Sequence, residues 1–265
     1  MLKSVKIIEV VNALEKFAPL PLQEDYDNAG LQVGLTETEV SGALLCLDVT
    51  EEVLDEAARR GCNLVVSHHP LIFRGLKQVS DGNYVQRCVM KALLNGITVV
   101  SMHTNIDNAV GGVNYKIAEK LNLSNVRMLA PKCVGSLQGG SGVIGEWDES
   151  MEADRFVALL KKSFSVKCVQ ANQLLRRGIR KVAVCGGAGA FLLDDALKAG
   201  ADAFVTGEMH YHDFFGHDQD IQICIIGHYQ SEQFTNEIFK SIIEEKCAGV
   251  RCCLAETHTN PIIYL

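Results

Sequence analysis

Three consecutive stretches decide the fold: Ala43-Leu44-Leu45-Cys46-Leu47-Asp48, Glu52-Val53-Leu54-Asp55-Glu56-Ala57-Ala58-Arg59-Arg60-Gly61, and Cys62-Asn63-Leu64-Val65-Val66-Ser67. The first and third are short apolar runs of strand length, the second is helical in composition, and Gly61 stops it. A strand, a helix and a strand in that order build a parallel or mixed sheet, and ligands gather outside the carboxyl ends of its strands. The residues delivered there are His68, His69 and Pro70.

The second half of the chain repeats this grammar. Lys181-Val182-Ala183-Val184-Cys185 is a strand, Leu192 to Ala199 a helix, Gly200 its stop, and Ala201-Asp202-Ala203-Phe204-Val205-Thr206 a strand that delivers Gly207-Glu208-Met209-His210. Each half then runs on to another strand that ends in a histidine with a carboxylate four residues later. These are Val99-Val100-Ser101-Met102-His103-Thr104-Asn105-Ile106-Asp107 and Cys224-Ile225-Ile226-Gly227-His228-Tyr229-Gln230-Ser231-Glu232. The match suggests a duplication, so the expected fold is α/β, two similar strand-helix-strand lobes with a metal cleft between them. His103 should be equivalent to His228, Asp107 to Glu232, and Gly61 to Gly200. The first lobe is expected over 1–130, carrying His68, His69 and Asp107. A glycine-rich connector follows over 131–145, and the second lobe over 146–265 carries His228 and Glu232. Met151 to Phe164 reads as an amphipathic helix at the start of that lobe.

The 265 residues are 48% hydrophobic and 22% charged, an ordinary globular balance with length enough for a sizeable core. A net charge of -7 argues against a generally basic nucleic-acid-binding surface, though not against a local basic groove. Met1 to Asn12 mixes charges into apolar positions and reads as an amphipathic helix rather than a signal peptide. No window approaches the ~20 apolar residues of a membrane span, and the expected location is the cytoplasm. The ten cysteines have no C-x-x-C spacing and read as free thiols acting as small hydrophobes, with the vicinal pair Cys252-Cys253 the one to watch.

Imidazole nitrogens and carboxylate oxygens past strand ends are what a divalent metal site needs. Five or six such groups exceed one ion's usual protein share, which points to two metals sharing a bridging carboxylate, an arrangement that activates water for hydrolysis. Adjacent imidazoles such as His68 and His69 point in different directions, so each can serve a different ion. Plainer readings stand beside these. Asp107 could cap the turn into a helix that follows it, and a histidine and glutamate four apart are common on helices. His210, His212 and His217 crowd into eight residues; His210 or His212 could act as general acid or base, or all three could sit in a solvated loop. Cys185-Gly186-Gly187-Ala188-Gly189 reads as a tight strand-to-helix turn, with a phosphate cradle as its alternative.

Glu24-Asp25-Tyr26-Asp27-Asn28-Ala29-Gly30-Leu31-Gln32-Val33-Gly34, Ser67-His68-His69-Pro70-Leu71-Ile72-Phe73, His103 to Asp107, Thr206-Gly207-Glu208 and Gly227 to Glu232, in that order, resemble the Nif-three-like family, often described as GTP cyclohydrolase I type 2 homologues. The resemblance runs from about residue 5 to 260. It implies two α/β lobes with a dinuclear metal site between them, whose ligands are His68, His69, Asp107, His228 and Glu232, with Glu232 the bridge and His103 a neighbour. The family's first motif commonly has Trp where this chain has Tyr26. The 131–145 stretch leaves no room for the extra domain that many bacterial members insert, so the chain resembles the short form, whose members tend to form ring-shaped homohexamers.

The expected function is a dinuclear metal-dependent hydrolase of a small nucleotide-like or phosphorylated substrate, with two divalent ions per chain drawn from zinc, manganese or iron. A cyclohydrolase substrate is implied by the resemblance alone. The competing class is a non-enzymatic metal-binding ring that carries metal or binds a macromolecule. A histidine such as His210 or His212 pointing at the metals would favour the enzyme.

Overall fold

A computed structural model describes residues 4–263 and 265. Met1, Leu2 and Lys3, the start of the expected N-terminal helix, lie outside the described residues. The chain divides into two units: the first runs to Ile106 and resumes over Thr235–Ile263, and the second holds Asp107–Phe234. The expected boundary at 131–145 is therefore displaced. That stretch lies inside the second unit, in a β-hairpin whose strands pair from Ser124↔Glu146 to Val134↔Leu137. Gly135 makes the hairpin turn with φ of 60° and open space around it, whereas Gly140 and Gly145 serve close packing. A Cβ on Gly140 would lie 2.8 Å from Pro131 Cα, and one on Gly145 would lie 3.0 Å from both Leu123 Cβ and the Ser124 carbonyl.

The first unit opens with α1 (Ile7–Phe17), β1 (Gly30–Val33), β2 (Ala43–Cys46), α2 (Glu51–Arg59), β3 (Leu64–Ser67), α3 (Tyr84–Leu94), β4 (Thr98–Ser101) and the one-turn α4 (Thr104–Asp107), which carries the chain across the division. The second unit follows with α5 (Val113–Lys120), β5 (Ser124–Val134), β6 (Leu137–Met151), α6 (Ala153–Phe164), β7 (Gln170–Ala171), β8 (Ile179–Cys185), α7 (Leu193–Lys198), β9 (Ala203–Thr206), β10 (Gln222–Ile225) and α8 (His228–Glu232). The chain then returns to the first unit with α9 (Thr235–Lys246) and β11 (Cys252–Leu254).

The first sheet has the order β1-β4-β3-β2-β11, parallel except for β1 at one edge. Every residue of β2, β3 and β4 is buried, as a parallel sheet covered on both faces requires. Alternate residues Leu44, Cys46, Val65 and Val99 join Val53, Leu54 and Ala57 of α2 and Cys88, Val89 and Ala92 of α3 in one apolar cluster. α9 packs against α1 and β2.

The second sheet has the order β5-β6-β8-β9-β10-β7, with β8, β9 and β10 parallel and the others antiparallel. Ala183, Phe204, Ile223 and Ile225 pack on Leu193 and Ala196 of α7.

The two units thus share a core of three parallel strands in the same connectivity. Cys46, Ser67 and Ser101 lie side by side in the first sheet, as do Cys185, Thr206 and Ile225 in the second. Gly61 and Gly200 occupy the expected equivalent places, with φ of 64° and 69° after α2 and α7. In each, the residue after the glycine donates back five positions, Cys62 N to Ala57 O at 2.8 Å and Ala201 N to Ala196 O at 3.0 Å. This is the closure that ends a helix on a left-handed residue and starts the next strand. All ten cysteines are free thiols, and seven are buried. No helix among the described residues is long and apolar enough to cross a membrane.

Candidate metal centre

In the first unit His68 and His69 follow β3 directly, and His103 follows β4 by two residues. Parallel pairing of Ser67 with Ser101 aligns those strand ends, so the three imidazoles converge. Their ring centroids lie 4.9 to 5.4 Å apart, and one ring nitrogen from each lies within 4.8 Å of the other two. Each Nδ1 has its own anchor: the Met102 carbonyl for His68 at 2.9 Å, Asp48 Oδ1 for His69 at 2.7 Å, and Asp27 Oδ1 for His103 at 2.7 Å. A carbonyl or carboxylate only accepts, so Nδ1 carries the proton and Nε2 presents its lone pair. Tying the distal nitrogen in this way fixes tautomer and ring orientation for metal binding.

The anchoring carboxylates are themselves held ionised. Burial would raise the pKa of Asp27, but hydrogen bonds from His103, Thr104 and Asn28 hold it at about 2. Asp48 is likewise lowered against its burial, by His69 and by the Thr259 hydroxyl at 2.8 Å. Asp48→Asn is expected to weaken metal binding about 10- to 100-fold with little change in fold, because it removes the charge behind the His69 ring. Competition with a metallochromic chelator measures this, and an unchanged affinity would show that the Asp48 contact is structural only.

In the second unit His228 opens α8, three residues past Ile225, and Glu232 closes it. His228 is held between carboxylates, Nδ1 3.2 Å from Glu208 Oε1 and Nε2 3.1 Å from Glu232 Oε2. Glu208 stands two residues past Thr206, as His69 stands two past Ser67. The loop after β8 makes room for the Glu232 side chain. Gly187 has φ of 60°, and a Cβ there would collide with Glu232 Oε1. The amides of this loop are taken by the protein: Gly186 N donates to Asn114 Oδ1, Gly187 N to Ser231 Oγ and Gly189 N to Thr206 Oγ1, each at 2.9 Å. The phosphate-cradle alternative for this loop is therefore set aside; the turn seats a carboxylate. Burial pushes the Cys185 thiol up, with the charges of Asp107 and Glu232 adding to it.

Asp107 ends α4 instead of capping the next helix, since α5 has Gly112 at its cap position and no side-chain cap. His210 and His212 do not join this arrangement. The His210 side chain is 90% exposed, with Nδ1 4.0 Å from Asp213, and His212 stacks on Phe215 and meets Tyr211 edge-on in an exposed turn. His217 contributes its carbonyl to the Asn172 amide. Their crowding in sequence reflects a short loop on which His210 and His212 are exposed and His217 is half-buried.

The comparisons with known proteins agree with this architecture. Residues 5–261 match the family Duf34/NIF3 (NGG1p interacting factor 3). The chain belongs to that family. A Clostridium perfringens protein named GTP cyclohydrolase 1 type 2 homolog is 34% identical, over 86% of this chain and 87% of its own. The NIF3-like protein 1 of Drosophila melanogaster is 33% identical, over 97% and 89%. Among solved structures, a Bacillus cereus protein related to NIF3 superposes with a TM-score of 0.89 at 26% identity, covering 99% of this chain and all of that one. In this Duf34/NIF3 chain, reasoning from sequence missed the anchors Asp27 and Asp48. Asp27 lies in the Glu24–Gly34 motif, and Asp48 just past β2 shares the strand-end position that had marked the histidines.

Proposed function

We propose that the two sets of side chains serve one dinuclear centre. In it His68, His69, Asp107, His228 and Glu232 hold two divalent ions with Glu232 bridging, and His103 completes the imidazole cluster of the first unit. The observation that carries this reading is that the imidazoles of His68, His69 and His103 each have Nδ1 tied to a carbonyl or carboxylate, leaving Nε2 as the metal-facing nitrogen, while His228 Nε2 lies 3.1 Å from Glu232. Nitrogen and carboxylate donors together suit zinc, manganese or iron. Three residues of chain separate His103 from Asp107.

The activity proposed is hydrolysis of a small nucleotide-like or phosphorylated substrate. Bound ions would supply charge to activate water and to polarise the bond it attacks. The protein's own part is to fix donor directions and to keep Asp27 and Asp48 ionised behind the rings. A homohexameric ring belongs to the same proposal, by resemblance, and sedimentation tests it. A second reading, a metal-binding module without catalysis, is favoured by the His210 side chain, which is 90% exposed and is not among the described side chains grouped as metal ligands. Elemental analysis of the purified protein is expected to find about two divalent ions per chain. A phosphatase and nucleotide-hydrolysis screen with each metal restored separates the readings. Metal without turnover on any substrate would leave the binding module, and no bound metal would overturn both.

A further inference from the structure

The first unit has a cavity of about 690 Å³ between the loop that follows His69 and the start of α3, lined by Pro70, Phe73, Arg74, Lys77, Gln78 and Tyr84 among others. That size suits a small-molecule ligand, for which about 300–1,000 Å³ is usual. Two large rings on its walls stay in contact with solvent, Phe73 at 45% and Tyr84 at 57% exposure. Their position is not a product of loose chain: Asn28 Nδ2 donates to the Ile72 carbonyl at 2.6 Å, and Ile72 N donates to Gln32 Oε1 at 3.1 Å, pinning the loop beside Phe73. The Phe73 ring lies edge-on to His103 at 6.1 Å, so the wall of the cavity abuts the imidazole cluster.

Among the described residues, some cations of the first unit are paired with carboxylates and others, Lys16 and Arg59 among them, are not. Arg60, Arg87 and Lys91 each sit 2.7 to 2.9 Å from a carboxylate. Arg74 and Lys77 have no carboxylate partner among the described residues, and both are exposed on the cavity wall. Two uncompensated cations beside two solvent-facing rings form the complement of a planar group that carries a phosphate. Aromatic faces accept a base by stacking, and guanidinium and ammonium groups accept phosphate oxygens.

We propose that this cavity binds a nucleotide, its base stacked on Phe73 and Tyr84 and its phosphate held by Arg74 and Lys77. As a substrate site it rests on the proposed function, but binding itself can be read apart from metal and turnover. Calorimetry with guanosine monophosphate, adenosine monophosphate, guanosine and inorganic phosphate, on metal-free and metal-loaded protein, tests it. A mononucleotide should bind both forms, with guanosine and inorganic phosphate at least about tenfold weaker. Arg74→Ala combined with Lys77→Ala should weaken the mononucleotide about tenfold or more and leave guanosine unchanged, whereas Phe73→Ala should weaken both by a similar factor. Metal content and unfolding midpoint should not move in either variant. Absence of binding by both mononucleotides, or binding indifferent to both variants, would overturn the proposal. Inorganic phosphate binding as tightly as the mononucleotide would overturn the nucleotide class. Turnover lost while nucleotide binding persists would count against the hydrolase reading alone.

Discussion

Glu232→Gln is expected to lower the bound metal from about two ions per chain to one or fewer, and to cut hydrolysis by more than the about 100-fold that loss of an outer partner costs. The substitution keeps the shape of a side chain that is 3% exposed and removes its charge. A bridging role predicts that both ions suffer, whereas a terminal ligand would surrender one. Gly187→Ala should reproduce much of the loss without touching any donor, since its methyl would occupy the space of Glu232 Oε1. Gly200→Ala is the control, with a similar positive φ and no atom near the added methyl. It should cost about 1–2 kcal/mol of stability and no metal. Metal content in the Glu232 variant equal to that of the parent would remove the bridge from the proposal.

The second large effect concerns stability and not metal binding. Glu56 on α2 is 1% exposed, and its carboxylate accepts from Glu256 N, Thr257 N, the Thr257 hydroxyl and Arg60 Nη1 at 2.7 to 3.1 Å. Burial raises its pKa, but these donors lower it more, to about 2. A folded pKa below the unfolded value of about 4.3 contributes stability that is complete above that value and is lost as the pH falls toward 2. Glu56→Gln should therefore cost about 2–4 kcal/mol at pH 7, because several buried donors lose a charged acceptor. It should also flatten the decline in stability between about pH 4.3 and 2. Urea unfolding across that range measures both effects; identical midpoints for variant and parent at pH 7 would show that the segment after β11 is held by other contacts.

The strand-helix-strand core was legible because its signals are local. Apolar runs of four residues, a stopping glycine and a histidine directly beyond each have a fixed offset in the chain, so Gly61 and Gly200 could be matched without coordinates. The anchors of the rings were not, because Asp27 reaches His103 across 76 residues and Asp48 reaches His69 across 21. The boundary over 131–145 failed for a different reason. Glycine marks both a flexible joint and a place where backbones press together, and composition cannot separate the two. Three histidines within eight residues implied a shared task, yet adjacency along an exposed turn says nothing of direction, and the His210 side chain points to solvent.

The order in which the segments leave the ribosome follows from where the chain crosses between its units. All the strands of the second unit's sheet lie in one stretch, Asp107–Phe234, and are available once that stretch has been made. The first unit must wait. Its edge strand β11 pairs with β2 across some two hundred residues, and α9 reaches back to α1. Until the last thirty or so residues emerge, β2 keeps an unpaired backbone edge of the kind that invites wrong pairing. The half of the protein synthesised first is thus the half completed last, and a chain cut short after Phe234 would spare the inserted unit while leaving its host unfinished.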